Sequence, residues 1–92
     1  MYDLLCGDKE TQRIFDRFPS RKFRAIQERA EERLMQLNAA LGLGDLNLPS
    51  LRLEKLSGDR KGQYSIRIND QYRICFQWRD GNAHDVEVVD YH

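Results

Sequence analysis

Apolar residues recur every three or four positions in the first half of this chain and every second position in the second half. The change of period predicts helices followed by strands. Because the two kinds of element are grouped and do not alternate, the expected fold class is α+β: two N-terminal helices packed on one face of a mainly antiparallel four- to five-stranded sheet. Residues 2–6 read as a short first strand. Asp8 is placed to start a helix that carries Ile14 and Phe15 and runs to about Phe18, where Pro19-Ser20 interrupts it. Ser20 can cap a second helix. On that helix Phe23, Ile26, Ala30, Leu34, Leu37 and Leu41 succeed one another in steps of three or four, which keeps them on one face. Glu28, Arg29, Glu32 and Arg33 fall mostly on the other faces, as a solvated or partner-binding surface. Gly42 and Gly44 are expected to end the helix.

After Pro49 the period is two. Leu51, Leu53 and Lys55 share one face of a strand, and Gly58 and Gly62 bracket a loop. Tyr64, Ile66 and Ile68 then alternate with Ser65 and Arg67, and Tyr72, Ile74, Phe76 and Trp78 alternate with Arg73, Cys75 and Gln77. Turns fall at Asn69-Asp70 and at Asp80-Gly81-Asn82, and a last strand runs from about Ala83 to Val89. Register decides which side chains meet, since a slip of one residue exchanges the faces. A loop at residues 69–71 pairs Ile68 with Tyr72 and Arg67 with Arg73, bringing both apolar stripes into the core. A loop at residues 80–82 sets Val86 and Val88 opposite Phe76 and Ile74, with Asp85, Glu87, Val89 and Tyr91 on the arginine side.

A length of 92 residues fits one domain spanning the whole chain, and the 40% apolar share is enough for a core. No apolar run approaches the roughly 18 residues of a membrane span. The start, Met1-Tyr2-Asp3-Leu4-Leu5-Cys6, lacks the basic and apolar regions of a signal peptide. A cytoplasmic protein is expected, with Cys6 and Cys75 as reduced thiols whose spacing matches no zinc or redox motif. The net charge is zero, yet residues 52–79 carry seven basic side chains (Arg52, Lys55, Arg60, Lys61, Arg67, Arg73, Arg79) against three acidic ones. This local excess is either a phosphate-binding surface or an ordinary solvated sheet edge.

The expected open face gathers Arg67, Arg73 and Tyr91, with Asp90 and His92 beside them at the chain end. Cleavage of RNA by transesterification needs a base for the ribose 2'-hydroxyl, a cation for the charge growing on phosphate, and an acid for the leaving oxygen. Arginine suits the cation's role because its planar fork donates to two phosphate oxygens. Histidine suits proton transfer near neutral pH, and a nearby carboxylate favours its charged form. Tyrosine is a poor base unless cations surround it, but it can orient or stack on a nucleobase. Each residue also has a plainer reading: Asp90-Tyr91-His92 as a surface tail, and Arg67 and Arg73 as ion-pair partners of Asp85 and Glu87. His84, Asp85, Asp90 and His92 match no standard metal spacing. The Gly58–Gly62 loop is not a phosphate-binding loop, having no Lys-Ser/Thr or helix after it. The residues alone reach a small α+β domain with a basic strand face.

The run Leu53-Glu54-Lys55-Leu56-Ser57-Gly58-Asp59-Arg60-Lys61-Gly62-Gln63-Tyr64-Ser65-Ile66-Arg67-Ile68-Asn69-Asp70-Gln71-Tyr72-Arg73-Ile74-Cys75-Phe76 resembles the central motif of HigB-type toxins in the RelE/ParE superfamily. The closing Val88-Val89-Asp90-Tyr91-His92 resembles the end of that family. The resemblance covers residues 46–92 well, and residues 1–45 mainly in helical layout. It implies a RelE-like α+β domain and ribosome-dependent, metal-independent endoribonuclease action on mRNA, with no cofactor. It implies as partners a helix-turn-helix antitoxin of the HigA type, the 70S ribosome with its mRNA, and operator DNA only through the antitoxin. By motif position Arg73, Tyr91, His92 and Asp90 become the expected catalytic residues. Arg67, Lys55, Arg60, Lys61 and Arg52 become expected RNA contacts. Two positions depart from some relatives of that family, which carry a lysine in place of Ser57 and a histidine in place of Glu54. Lys55 and Lys61 are the candidate substitutes for the missing charge. The competing expectations are a ParE-like topoisomerase poison and a toxin homologue that keeps antitoxin binding with weakened catalysis.

Overall fold

The computed structural model describes residues 5–91; residues 1–4 and His92 lie outside it. Helix α1 (Lys9–Phe15) begins where Asp8 accepts a hydrogen bond from the Thr11 N–H at 2.7 Å, which satisfies one of the donors left open at a helix start. It stops short of Phe18, because Arg17 turns into the left-handed region at φ 65°. Ser20 does not cap the second helix. Its hydroxyl accepts from the Phe23 N–H, ahead of a tight turn over Arg24–Ile26 that has no side-chain cap, and α2 proper runs Gln27–Ala39 from Ile26, which supplies none either.

Phe23, Ile26, Ala30, Leu34 and Leu37 are buried as their spacing requires, each of the large ones adding about 1.5–3 kcal/mol of apolar burial. Leu41 is not. It is 89% exposed, because the helix has already ended at Ala40 in an extended conformation, and neither Gly42 nor Gly44 serves as a left-handed cap. Leu46 and Leu51 fill that end of the core instead.

The sheet has five strands in the order β1-β5-β4-β3-β2: β1 (Leu5–Cys6), β2 (Glu54–Lys55), β3 (Gln63–Arg67), β4 (Tyr72–Arg79) and β5 (Asn82–Asp90). β1 pairs with β5 in parallel and every other neighbour is antiparallel. Both helices lie on the face presenting Ile66, Ile74, Phe76, Val86 and Val88. Strand β2 is shorter than the period-two pattern suggests. Leu51 is buried in a turn ahead of it, and Lys55, expected on Leu51's face, is exposed on the sheet edge.

The β3–β4 register is the expected one, with Ile66 opposite Ile74 and Arg67 opposite Arg73. The β4–β5 turn is shorter than expected. Arg79 pairs with Asn82 across two residues, Asp80 (φ 53°) and Gly81 (φ 76°), both in the left-handed conformation that a tight Asp-Gly hairpin turn demands. A bulge then restores the expected register. Gln77 pairs with His84 but Cys75 pairs with Glu87, so Asp85 and Val86 together oppose Phe76. Asp85 absorbs the extra residue at φ 52°, and Gly7 packs on its carbonyl group so closely that a Cβ there would sit 3.3 Å from it. Ile74 therefore meets Val88, and Arg73 meets Val89, as the sequence pattern requires.

Candidate active site

The second face of the sheet carries Ser65, Arg67, Arg73, Cys75 and Glu87, because neighbouring residues on a strand point to opposite sides. At the end where β4 begins, Arg52, Glu54, Arg67, Asn69, Asp70, Arg73 and Tyr91 enclose a cleft of about 240 Å³. This is room for a phosphate and part of its sugar, in a wall rich in guanidinium groups.

Arg73 is the most firmly held of these side chains. Its Nε donates to the Ser65 hydroxyl at 2.7 Å and its Nη2 to the backbone carbonyl of Arg52 at 2.6 Å. Ser65 is fully buried beneath it. The two acceptors fix the plane of the guanidinium and leave Nη1 without an acceptor among the described residues, available to a ligand. The Arg52 carbonyl is aimed by an unusual backbone. Arg52 sits at φ 44°, a conformation that costs a residue other than glycine on the order of 1 kcal/mol. Hydrogen bonds from the Arg52 N–H to Leu48 and from the Arg67 N–H to Leu51 hold that turn against β3.

Tyr91 closes the cleft from the other side, its ring centroid 6.0 Å from the Arg73 guanidinium carbon. The Tyr91 N–H donates to the Gln71 carbonyl at 2.6 Å, which ties the chain end to the β3–β4 turn. Arg67 forms an ion pair with Asp70, and its carbonyl accepts from Arg33 Nε on α2 at 3.0 Å. Burial, and then the charge of Arg29, lower Arg33 from the usual arginine range.

The expected residues divide into four groups. Arg52, Arg67, Arg73 and Tyr91 share the cleft. Arg60 faces the same side of the sheet but is committed elsewhere. It pairs with Glu87 at 2.6 Å and donates to Gln63 at 3.1 Å, and its hydrogen bond to Glu87 raises its pKa. Lys55, Lys61 and Asp90 do not line the cleft. Lys55 pairs with Tyr64, whose ring stacks on Phe76 at the helical face, so the residue beside it, Glu54, takes the cleft side opposite Ser65. Asp90 pairs with Tyr72 on the helical side and accepts from the Gln71 amide at 3.1 Å. His92, the fourth expected catalytic residue, lies outside the described residues. Ser57 is exposed and away from the cleft. The plain ion-pair reading of the two strand arginines is not what forms: neither Arg67 nor Arg73 pairs with Asp85 or Glu87.

Sequence reasoning missed Ser65 and the Arg52 carbonyl as anchors of Arg73. It also treated Glu54 only as a departure from relatives, although period two from Ser65 would have placed it on this face had the β2–β3 register been known. The Arg60–Glu87 pair was equally invisible. It closes over Cys75, whose thiol burial pushes up in pKa while Arg60 and Arg73 pull the other way and Glu87 adds to the rise.

Comparison with known proteins agrees with this architecture. A family model described as the RelE-like toxin of type II toxin-antitoxin system HigB matches residues 7–92. Endoribonuclease HigB of Proteus vulgaris is 37% identical over 65 residues, covering 71% of each chain. Toxin HigB-1 of Vibrio cholerae is 45% identical over 60 residues, 64% of this chain and 63% of that one. Among solved structures, the YoeB-YefM complex from Staphylococcus aureus contains a chain that superimposes with a TM-score of 0.60. The match covers 100% of this chain and 98% of that one at 18% identity, and so shows a shared fold.

Proposed function

This chain belongs to the HigB-like family of RelE-type toxins of type II toxin–antitoxin systems, and on that premise we propose that it is an endoribonuclease that cleaves mRNA on the ribosome by metal-independent transesterification. The observation that carries the reading is the Arg73 guanidinium, clamped between Ser65 and the Arg52 carbonyl with its free edge turned into a cleft shared with Arg67, Glu54 and Tyr91.

In the proposed reaction the phosphate at the cut site lies against Arg73 and Arg67, whose charges stabilise the extra negative charge of the pentacoordinate state. Glu54 is the cleft carboxylate outside both described ion pairs, and it takes the proton from the 2'-hydroxyl. The 2'-oxygen bonds to phosphorus and the bond to the 5'-oxygen breaks. His92 returns a proton to that oxygen, leaving a cyclic phosphate on one fragment and a hydroxyl on the other. Tyr91 orients the flanking base by stacking. Balanced charges and a small cleft give weak affinity for free RNA, so the ribosome supplies the positioned substrate. The natural partner is a helix-turn-helix antitoxin of the HigA type, through which alone operator DNA is reached, and the site of action is the cytoplasm.

The test is expression of the chain and of Arg73→Ala, with mRNA 5' ends mapped in arrested cells. The wild type should arrest growth and produce new ends, and Arg73→Ala should lose both by a factor of about 10²–10³ in cleavage rate while still binding antitoxin. Growth arrest with DNA-damage signalling and no new ends would sink the reading in favour of a topoisomerase poison. No arrest at all would show a homologue whose catalysis has lapsed.

A further inference from the structure

The mechanism leaves unused the most basic stretch of the molecule. Residues 17–24 hold Arg17, Arg21, Lys22 and Arg24 and no acidic side chain. All four are exposed, and none takes part in the two ion pairs among the described residues. Arg17, Arg21 and Arg24 surround a concavity of about 410 Å³ with Ser20, Gln27 and Glu31. Glu31 is the acidic member, and its carboxylate accepts from the Gln27 amide at 2.8 Å. Beside the concavity Phe18 stands 57% exposed, with the Arg13 guanidinium 6.0 Å from its ring centroid.

We propose that this segment between α1 and α2 is a second RNA-binding surface, which docks the protein on the phosphate backbone of folded RNA apart from the cleavage site. The proposal rests on the reading above that the working substrate is a ribosome-bound message. Three guanidinium groups outside both described ion pairs surround one hollow and present forked donors to phosphate oxygens, and an exposed ring with one arginine against it is a stacking platform for an unpaired base.

The surface is also rigid before any partner arrives. Gln27 donates to the Phe18 carbonyl at 3.0 Å and accepts from the Ser20 N–H at 2.9 Å, Arg13 donates to the Pro19 carbonyl at 2.9 Å, and the Ser20 hydroxyl donates to Glu10 at 2.6 Å. Docking therefore costs little ordering entropy. Its placement fits a large partner. Phe23, at the end of the segment, packs edge-on against Tyr72 at 5.7 Å, and Tyr72 precedes Arg73 in β4. The two basic surfaces thus flank one end of the sheet on opposite sides, where an RNA particle curling round that end meets both. A single exposed ring is too little apolar area for a membrane surface.

The experiment measures binding of the full chain to purified 70S ribosomes by sedimentation across a salt series. It compares the wild type with an Arg21→Gln/Arg24→Gln double variant and with Phe18→Ala, and each variant's fold is checked by thermal unfolding. Each lost phosphate contact should lower the slope of log affinity against log salt by about 0.7–0.9. Raising salt from about 50 to about 200 mM should therefore weaken the wild type roughly tenfold more than the double variant. Phe18→Ala should weaken binding several-fold with no change of slope. An unchanged slope in the folded double variant overturns the proposal, as does a loss confined to antitoxin or to anionic vesicles. If the wild type binds ribosomes with a salt slope but releases no new mRNA ends, the nuclease reading fails while the comparison of slopes still decides this one.

Discussion

Arg73 and Tyr91 face each other across the end of the sheet because Arg73 pairs with Val89, and Tyr91 comes two residues later on the same face. Their geometry predicts which part of Tyr91 matters. With the ring placed to stack on a base and against the guanidinium, Tyr91→Phe should cleave ribosome-bound mRNA within about threefold of the wild type. Tyr91→Ala should lose about 1–3 kcal/mol of transition-state binding, roughly 5- to 150-fold in kcat/KM. A phenylalanine variant as poor as the alanine one would mean that the hydroxyl moves a proton.

The Arg73 clamp makes Arg52 a residue with separable side-chain and backbone roles. Its carbonyl accepts from Arg73 while its side chain lines the cleft. Glycine at this position keeps the carbonyl and relieves the backbone at φ 44°, whereas alanine keeps the strain. Arg52→Gly should therefore be more stable than Arg52→Ala by about 1 kcal/mol in denaturant unfolding, with the same rise in KM in both. Equal stabilities would mean that the surrounding turn relaxes once the long side chain is gone.

The core and the site were readable from the sequence to different depths, for a physical reason. The alternation of Ile66, Ile68, Ile74 and Phe76 fixes the β3–β4 register because a slip would bury Arg67 or Arg73, so the pairing of these two arginines was implied by the pattern. The same logic held for Ile74 and Val88. It could not show the route to that pairing, since a two-residue turn plus a bulge and a three-residue loop bring the same residues together. Leu41 illustrates the opposite failure: its spacing fits the helix, but the chain turns away at Ala40 and Leu46 takes the buried place. The alternation of Leu51 and Leu53 sets Lys55 on the apolar side and Glu54 on the other. Charge and resemblance alone, not the pattern, therefore make Lys55 an expected RNA contact, and the pairing of Glu54 with Ser65 puts the carboxylate on the cleft side.

A buried hydroxyl joins the helical layer to the sheet. Thr11 on α1 is fully buried, and its Oγ1 accepts from the Val88 N–H of β5 at 3.0 Å. Thr11→Val keeps the shape of the side chain and removes the acceptor, leaving an N–H stranded in the core. The expected cost is about 1–3 kcal/mol of unfolding free energy, with cleavage per folded molecule unchanged, since the cleft lies across the sheet. Thr11→Ser, which restores the acceptor at the expense of one methyl, should recover part of the loss.

The thiols supply a dependence on pH. Burial, with smaller contributions from the carboxylates of Asp8 and Asp16, pushes Cys6 up to about 11, and burial raises Cys75 as well. Both are therefore protonated at neutral pH in the folded protein and should alkylate slowly with iodoacetamide at pH 8, then quickly in denaturant, since only the thiolate is the nucleophile. The sign of the effect on stability comes from proton counts. A thiol whose folded pKa exceeds its unfolded one holds more protons in the folded state between those values. Its contribution is complete below the ordinary thiol range and is lost as pH rises through about 11. Cys6→Ala should accordingly flatten the alkaline fall of stability measured between pH 8 and 11. A fall as steep as that of the wild type would place its cause in groups other than this thiol.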